Sequence, residues 1–181
     1  MSENKAFTDV KKLRSPERVA LLEIDRVIDL VLEDLSPVLV LDVGTGSGIF
    51  AGAFAAQAIQ VTGIDINPKM LEEAQKFIEQ GFFQVANAES IPHPDRSFEI
   101  VFLGHVLHEV NDPLKALKEA RRLADYRVAA LEWPYVEEEI GPPLSQRLKP
   151  EDVEAMAKKA GFSKVDVFVL KHMILYRMDV D

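Results

Sequence analysis

The stretch LVLDVGTGSGIFAGAF, residues 39–54, ends a short apolar run in an acid and then gives up its side chains at alternate positions, Gly44, Gly46 and Gly48. Glycine loses more conformational freedom on folding than any other residue. Three in alternation are costly unless the backbone must take unusual dihedrals or approach something closely. Val38–Leu41 before them has the continuous apolar character of a strand buried on both faces, and a helix from about Ser47 to Ala58 follows. Strand, glycine turn and helix in that order predict the first unit of an open α/β sheet, with a ligand against the turn.

Working outward, the pattern alternates. Ser15-Pro16 starts a helix with a cap and a proline at the first helical position, and Val19, Leu22, Val27, Leu30 and Val31 carry it to Leu35. Gln60–Ile64 is a second strand. Asn67-Pro68 starts a helix that runs to about Gln80, before strands at Phe82–Ala86 and Phe98–Leu103. Asp112-Pro113 opens a further helix, Arg127–Trp133 is a fifth strand, and a helix from Pro150 is stopped by Gly161. Ser163–Leu170 and His172–Arg177 have no helix between them and are expected to pair antiparallel. The fold class that follows is α/β: a Rossmann-like three-layer sandwich around a mostly parallel seven-stranded sheet with a C-terminal antiparallel hairpin. Within one domain overall, residues 1–36 read as an N-terminal lid and helix packed on the core, and residues 37–181 as the core itself.

Composition excludes several classes of function. The 181 residues carry 21 Lys and Arg against 30 Asp and Glu, a net charge of -9, which disfavours a grip on nucleic-acid backbone. With no cysteine there are no disulfides, thiolate metal ligands or thiol nucleophiles. The polar N-terminus lacks a signal-type apolar region, and the longest apolar stretch, Ile49–Ile59, falls short of the ~20 residues of a membrane span. A cytoplasmic protein, monomer or homodimer, with no nucleic-acid or membrane partner is the expectation.

Ligands of such sheets sit at the carboxyl ends of the strands. Those ends read Asp42-Val43-Gly44, Asp65-Ile66, Asn87-Ala88-Glu89, Gly104-His105 and Glu132-Trp133. Asp65 lies about twenty residues beyond the glycines, where a carboxylate can accept from both hydroxyls of a ribose. Two adenosine-containing ligands fit. Gly46-x-Gly48-x-x-Ala51 satisfies the short dinucleotide fingerprint, which admits an NAD(P)-binding oxidoreductase. S-adenosylmethionine is the other: it has no phosphates, and the glycines would let backbone lie along its amino-acid and ribose portions.

Four segments in order, VLDVGTGSG, VTGIDINPKMLEEA, ANAESIPHPDRSFEIVFLGHVLHEV and AGFSKVDVF, resemble the class I S-adenosylmethionine-dependent methyltransferases. The likeness is greatest to the small-molecule group that includes quinone-biosynthesis and sterol-type enzymes, and it spans about Val38 to Arg177. The resemblance implies a methyltransferase acting on a small-molecule acceptor by in-line displacement, with S-adenosylhomocysteine as product. It implies that Asp42, Gly44 and Gly46 hold the methionine end, Asp65 the ribose, Ile66 the adenine face, and Asn87, Ala88 and Glu89 the adenine edge, with Thr45, Gly48 and Gly104 also in the cofactor site. Asn87 departs from the family's usual Asp, and Leu123–Arg127 replaces a Lys-Pro-Gly-Gly turn. Asp42 has a second reading, as the organiser of the glycine loop through its amides.

No tyrosine is followed by a lysine four positions on, the arrangement of many small reductases. If the acceptor must lose a proton, His105 is the first candidate base and Glu132 the second. His105 and His108 with Glu109 lack an obvious third ligand, so no metal is expected. Phe7 and Leu13 are candidates to cover the cofactor, and the loop Pro134–Lys149 to form the far wall of the site. Arg147 either folds over that wall or anchors its loop, and anchoring is the preferred reading. A domain that binds S-adenosylmethionine or its product without catalysis is the alternative function.

Overall fold

The computed structural model describes residues 14–181, so Phe7 and Leu13 lie outside the described residues. Seven strands form one sheet in the order β3-β2-β1-β4-β5-β7-β6. They are β1 (Leu39–Val43), β2 (Gln60–Asp65), β3 (Phe82–Val85), β4 (Phe98–Gly104), β5 (Ala124–Glu132), β6 (Asp166–Val169) and β7 (Ile174–Asp179). The first five run parallel, and β7 is antiparallel to both β5 and β6. The expected hairpin is present, with β7 inside and β6 at the edge. Strand order reverses between β1 and β4, which opens a crevice at their carboxyl ends.

Alternation along the central strands supplies both faces of the core. Leu41, Val43, Val101, Leu103, Val128 and Ala130 point to one side, against α5 (Pro113–Leu123) and α6 (Pro150–Ala160). Val40, Ile100, Phe102, Ala129 and Leu131 point to the other, against α2 (Ile24–Leu32) and α3 (Ile49–Ala56). Helix α4 (Pro68–Phe77) starts as its sequence demands, with Asn67 accepting from the Lys69 amide at 3.1 Å and Pro68 at the first position. Gly161 closes α6 at φ 103°, a left-handed cap only glycine takes without strain.

Several boundaries differ from the sequence expectation. The continuous helix Ser15–Leu35 is two helices, α1 (Pro16–Leu21) and α2, because Glu23 between them is left-handed at φ 46°. Its carboxylate accepts from the Lys171 amide at 2.7 Å, a tertiary contact that periodicity does not report. Strand β5 begins at Ala124, directly after α5, so the segment Leu123–Arg127 expected as a turn is almost wholly strand. Strand β6 starts three residues later than expected, at Asp166, and β7 runs on to Asp179.

Candidate functional site

The glycine loop is built from the inside by Asp42. Its carboxylate, buried under the sheet's end, accepts from Thr45 Oγ1 at 2.7 Å and from the Ala51 amide at 3.1 Å. Ala51 is the third residue of α3, and Gly48 before that helix has no side chain to cap it, so a strand carboxylate satisfies an otherwise unpaired helix amide. Burial pushes Asp42 up to about 7, against the pull of its two donors. Thr45 is also occupied by the fold: its amide donates to Ile64 and its carbonyl accepts from Gly48. All three loop glycines have positive φ, 65°, 53° and 79°. At Gly44 an added Cβ would collide with Val106, and at Gly48 it would lie 2.9 Å from Ala74 of α4. Gly48 therefore serves helix packing.

Asp65, at the end of β2, accepts from the Gly46 amide through Oδ2 at 3.0 Å and from the Asn67 amide through Oδ1 at 2.8 Å. The Ile66 amide also bonds the carboxylate, which with about four lone-pair positions keeps capacity for an outside donor. Burial holds its pKa up, and the amide donors pull it down. Ile66 beside it is 44% exposed, an apolar face open beside the charge.

One cavity gathers these groups. Gly44, Gly46, Asp65 and Ile66 form one wall; Ala86, Asn87, Ala88 and Glu89 form another. Gly104, His105, Val106 and Glu109 enter from the end of β4, and Arg18 from α1. An adjoining recess shares Arg18, Gly44, Gly46, Gly104 and His105 with the cavity and reaches Asp42, Thr45 and Ser47. Of the cofactor-binding and base candidates named from the sequence, Gly48 and Glu132 are not among the residues lining either space, and neither are His108 and Arg147. Asn87 and Glu89 also serve the fold. Asn87 Oδ1 accepts from the Glu89 amide at 2.8 Å, and Glu89 Oε1 accepts from the amides of Asn111 and Asp112, tying down the segment before α5.

The two histidines diverge. His105, left-handed at φ 62°, has both ring nitrogens buried without a hydrogen-bond partner, and its ring lies 5.4 Å from that of Trp133. Burial, then the Arg18 and His108 charges, hold it well below its usual range, so the imidazole is neutral. His108 shares a 2.6 Å contact between its Nδ1 and Glu132 Oε2, and its Nε2 stands 3.9 Å from Glu109 Oε1. Burial pulls His108 down, but the Glu132 bond and the nearby carboxylates outweigh it and the net shift is upward. Glu132 Oε1 accepts from the Leu107 amide at 2.8 Å, so both oxygens face the loop after β4.

The sequence does not single out Arg18, and it brings in Glu109 only as a neighbour of the two histidines. Burial raises Glu109 to about 6, with His108 and Arg18 pulling it down and Glu132 and Asp65 pushing it up. The only signal was a charge next to residues already under suspicion. Arg147 is the loop anchor: fully buried, it donates to the carbonyls of Pro134, Val136, Ile140 and Pro142, and to Glu138.

A cavity at a switch point, with glycine backbone on one side and a strand-end acid on the other, fits S-adenosylmethionine. Comparison with known proteins finds similarity to the same class. Residues 41–125 match the family model described as a methyltransferase domain. A demethylmenaquinone methyltransferase of Thermotoga maritima is 37% identical over 100 residues, 54% of this chain and 43% of that one. A ubiquinone/menaquinone biosynthesis C-methyltransferase of Desulfotalea psychrophila is 41% identical over 88 residues, 46% of this chain and 36% of that one. The chain thus spans less than half the length of these curated relatives. The structure of a SAM-dependent methyltransferase from Aquifex aeolicus superposes with a TM-score of 0.83 at 25% identity, covering 97% of this chain and all of that one. Over these segments the chain is similar to S-adenosylmethionine-dependent methyltransferases, the class its motifs resemble, and S-adenosylmethionine is the cofactor of that class. Among the described residues no helix is long and apolar enough to cross a membrane.

Proposed function

We propose that this chain transfers a methyl group from S-adenosylmethionine to a small-molecule acceptor. The observation that carries the reading is the convergence of Gly44, Gly46, Asp65, Ile66, Asn87, Ala88, Glu89, Gly104 and His105 on one cavity at the reversal of strand order. Asp65 takes the ribose hydroxyls on its carboxylate, and Ile66 covers the adenine face. Asn87, Ala88 and Glu89 meet the adenine edge. Gly44, Gly46 and Gly104 lie along the methionine portion. Asp42, Thr45 and Gly48 act through the loop they shape. When bound, S-adenosylmethionine supplies an already activated methyl on a sulfonium, so the protein's task is positioning and exclusion of water. His105 meets the acceptor as a neutral imidazole, and Glu132 is a positioning residue that holds the loop after β4.

The described part of the N-terminal segment, residues 14–36, serves as a lid over a core of residues 37–181. Two observations on the described part support this: Arg18 lines the cavity, and Arg14 donates to the Ser47 carbonyl of the glycine loop. The names of the relatives favour a quinone-type or hydroxylated ring as acceptor. A cytoplasmic monomer or homodimer that meets neither nucleic acid nor membrane is in keeping with the net charge of -9. The test is release of S-adenosylhomocysteine from S-adenosylmethionine across a panel of ring acceptors. Acceptor-dependent release is the expected result. Tight binding of both nucleosides without release from any acceptor would instead indicate a non-catalytic binding module.

A further inference from the structure

We propose that Glu109 is the group that takes the acceptor's proton, and that the buried His108–Glu132 pair behind it takes the proton on. This rests on the methyl-transfer reading above and deepens it, because it assigns the acceptor a proton-bearing heteroatom, O–H or N–H.

The assignment follows from which carboxylates the fold has already used. Asp65 has an amide on each oxygen, Glu89 holds two amides on Oε1, and both oxygens of Glu132 are engaged by Leu107 and His108. Glu109 lines the same cavity with its side chain about one-third exposed, and the nearest polar group paired with it among the described residues is His108 Nε2, at 3.9 Å. It is the cavity carboxylate best placed to receive a proton from a guest. Its value of about 6 is matched to base work near neutral pH, where a group must be ionised yet still basic. His105 lacks that match, since burial and Arg18 leave it neutral and weakly basic.

Behind Glu109 the geometry continues inward. His108, with only 6% of its side chain exposed, gives its Nδ1–H to Glu132 and turns Nε2 toward Glu109. In the proposed step the acceptor's X–H bond breaks, its proton bonds to a Glu109 oxygen, and the electron pair stays on X. The proton then moves from Glu109 to Nε2 of His108, by a small rotation of Glu109 or through one water. Nδ1–H remains on Glu132, so the imidazolium lies between two carboxylates. The groups that face this pair from other elements are Asp65 of β2, Glu132 of β5 and Arg18 of α1, with His105 at 6.4 Å between ring centroids.

The test does not depend on turnover alone. Protein labelled at histidine is titrated by NMR with S-adenosylhomocysteine present, following the His108 ring, in the wild type, Glu109→Gln and Glu132→Gln. Calorimetry on the same samples reports nucleoside binding. The expected result is that wild-type His108 titrates above 6.5, Glu109→Gln lowers it by at least half a pH unit, and Glu132→Gln takes it lower still. An unmoved His108 in Glu109→Gln overturns the coupling. Failure of the wild type to bind S-adenosylhomocysteine overturns the methyl-transfer reading instead, so the two failures are distinct. With phenols and anilines as probes, Glu109→Gln should lose at least a hundredfold in kcat, and with it the rise in rate near pH 6, while KM for S-adenosylmethionine stays within threefold. A thioether or tertiary amine methylated as fast as the phenols overturns the base assignment.

Discussion

Glu132 Oε1 accepts from the Leu107 amide at 2.8 Å while its Oε2 lies 2.6 Å from His108 Nδ1, so one carboxylate at the end of β5 fixes both the backbone and a side chain of the loop after β4. That loop carries His105, Val106 and Glu109 into the cavity. Removing one partner of a buried charged pair costs about 3 kcal/mol or more, because the survivor is left unpaired. Glu132→Ala is therefore expected to lower unfolding stability by about that much in urea titrations. Loss of less than about 1 kcal/mol would show that the loop is held by other means.

Asp42 makes a pH-dependent contribution that can be isolated. Its folded value of about 7 lies above the ordinary 3.8, so its favourable contribution is complete below that ordinary value and is lost as pH rises through 7. Asn in its place can accept the same two bonds through one oxygen and does not ionise. The stability of Asp42→Asn relative to the wild type should rise between pH 5 and pH 8, by at most about 1.4 kcal/mol per pH unit. A constant difference across that range, measured by urea unfolding without ligand, would contradict the burial of an ionisable Asp42.

Asp65 and Gly48 separate ligand contact from architecture. Asp65→Ala should weaken S-adenosylhomocysteine binding by about 1.5–3 kcal/mol, the scale of hydrogen bonds to a charged group. Gly48→Ala puts a Cβ 2.9 Å from Ala74 at φ 79°. It is expected to cost about 1–3 kcal/mol of stability, while affinity in the folded fraction stays within threefold. Equal affinities for wild type and Asp65→Ala would remove the ribose assignment, and an unstrained Gly48→Ala would remove the packing one.

Arg147 holds the loop of residues 134–149 with bonds to four carbonyls and Glu138. Arg147→Met keeps much of the volume but leaves those acceptors unpaired. Limited proteolysis should cut within 134–149 at least tenfold faster in the variant. An unchanged rate would mean that the loop's own packing suffices.

Much of this was legible in the chain because it is local. Caps such as Asn67-Pro68 and Asp112-Pro113, the apolar runs and the glycine loop each announce themselves within a few residues. The left-handed Glu23 that splits the first helix depends on a bond to Lys171, distant in sequence. Glu132 was expected as a possible base because its strand end points toward the site, but only the fold shows Leu107 and His108 occupying both oxygens. Glu109 and Arg18 sit among other charges on helical or loop segments, and only the place of Glu109 beside His108 marks either of them. They become visible when α1 and the loop after β4 meet over one cavity.

The most direct test of the central claim is a calorimetric titration of the purified protein with S-adenosylmethionine, S-adenosylhomocysteine and NAD in parallel. The account requires saturable one-to-one binding of the first two and none of NAD. Binding of NAD alone would contradict it, and would mean that Gly46-x-Gly48-x-x-Ala51 serves a dinucleotide.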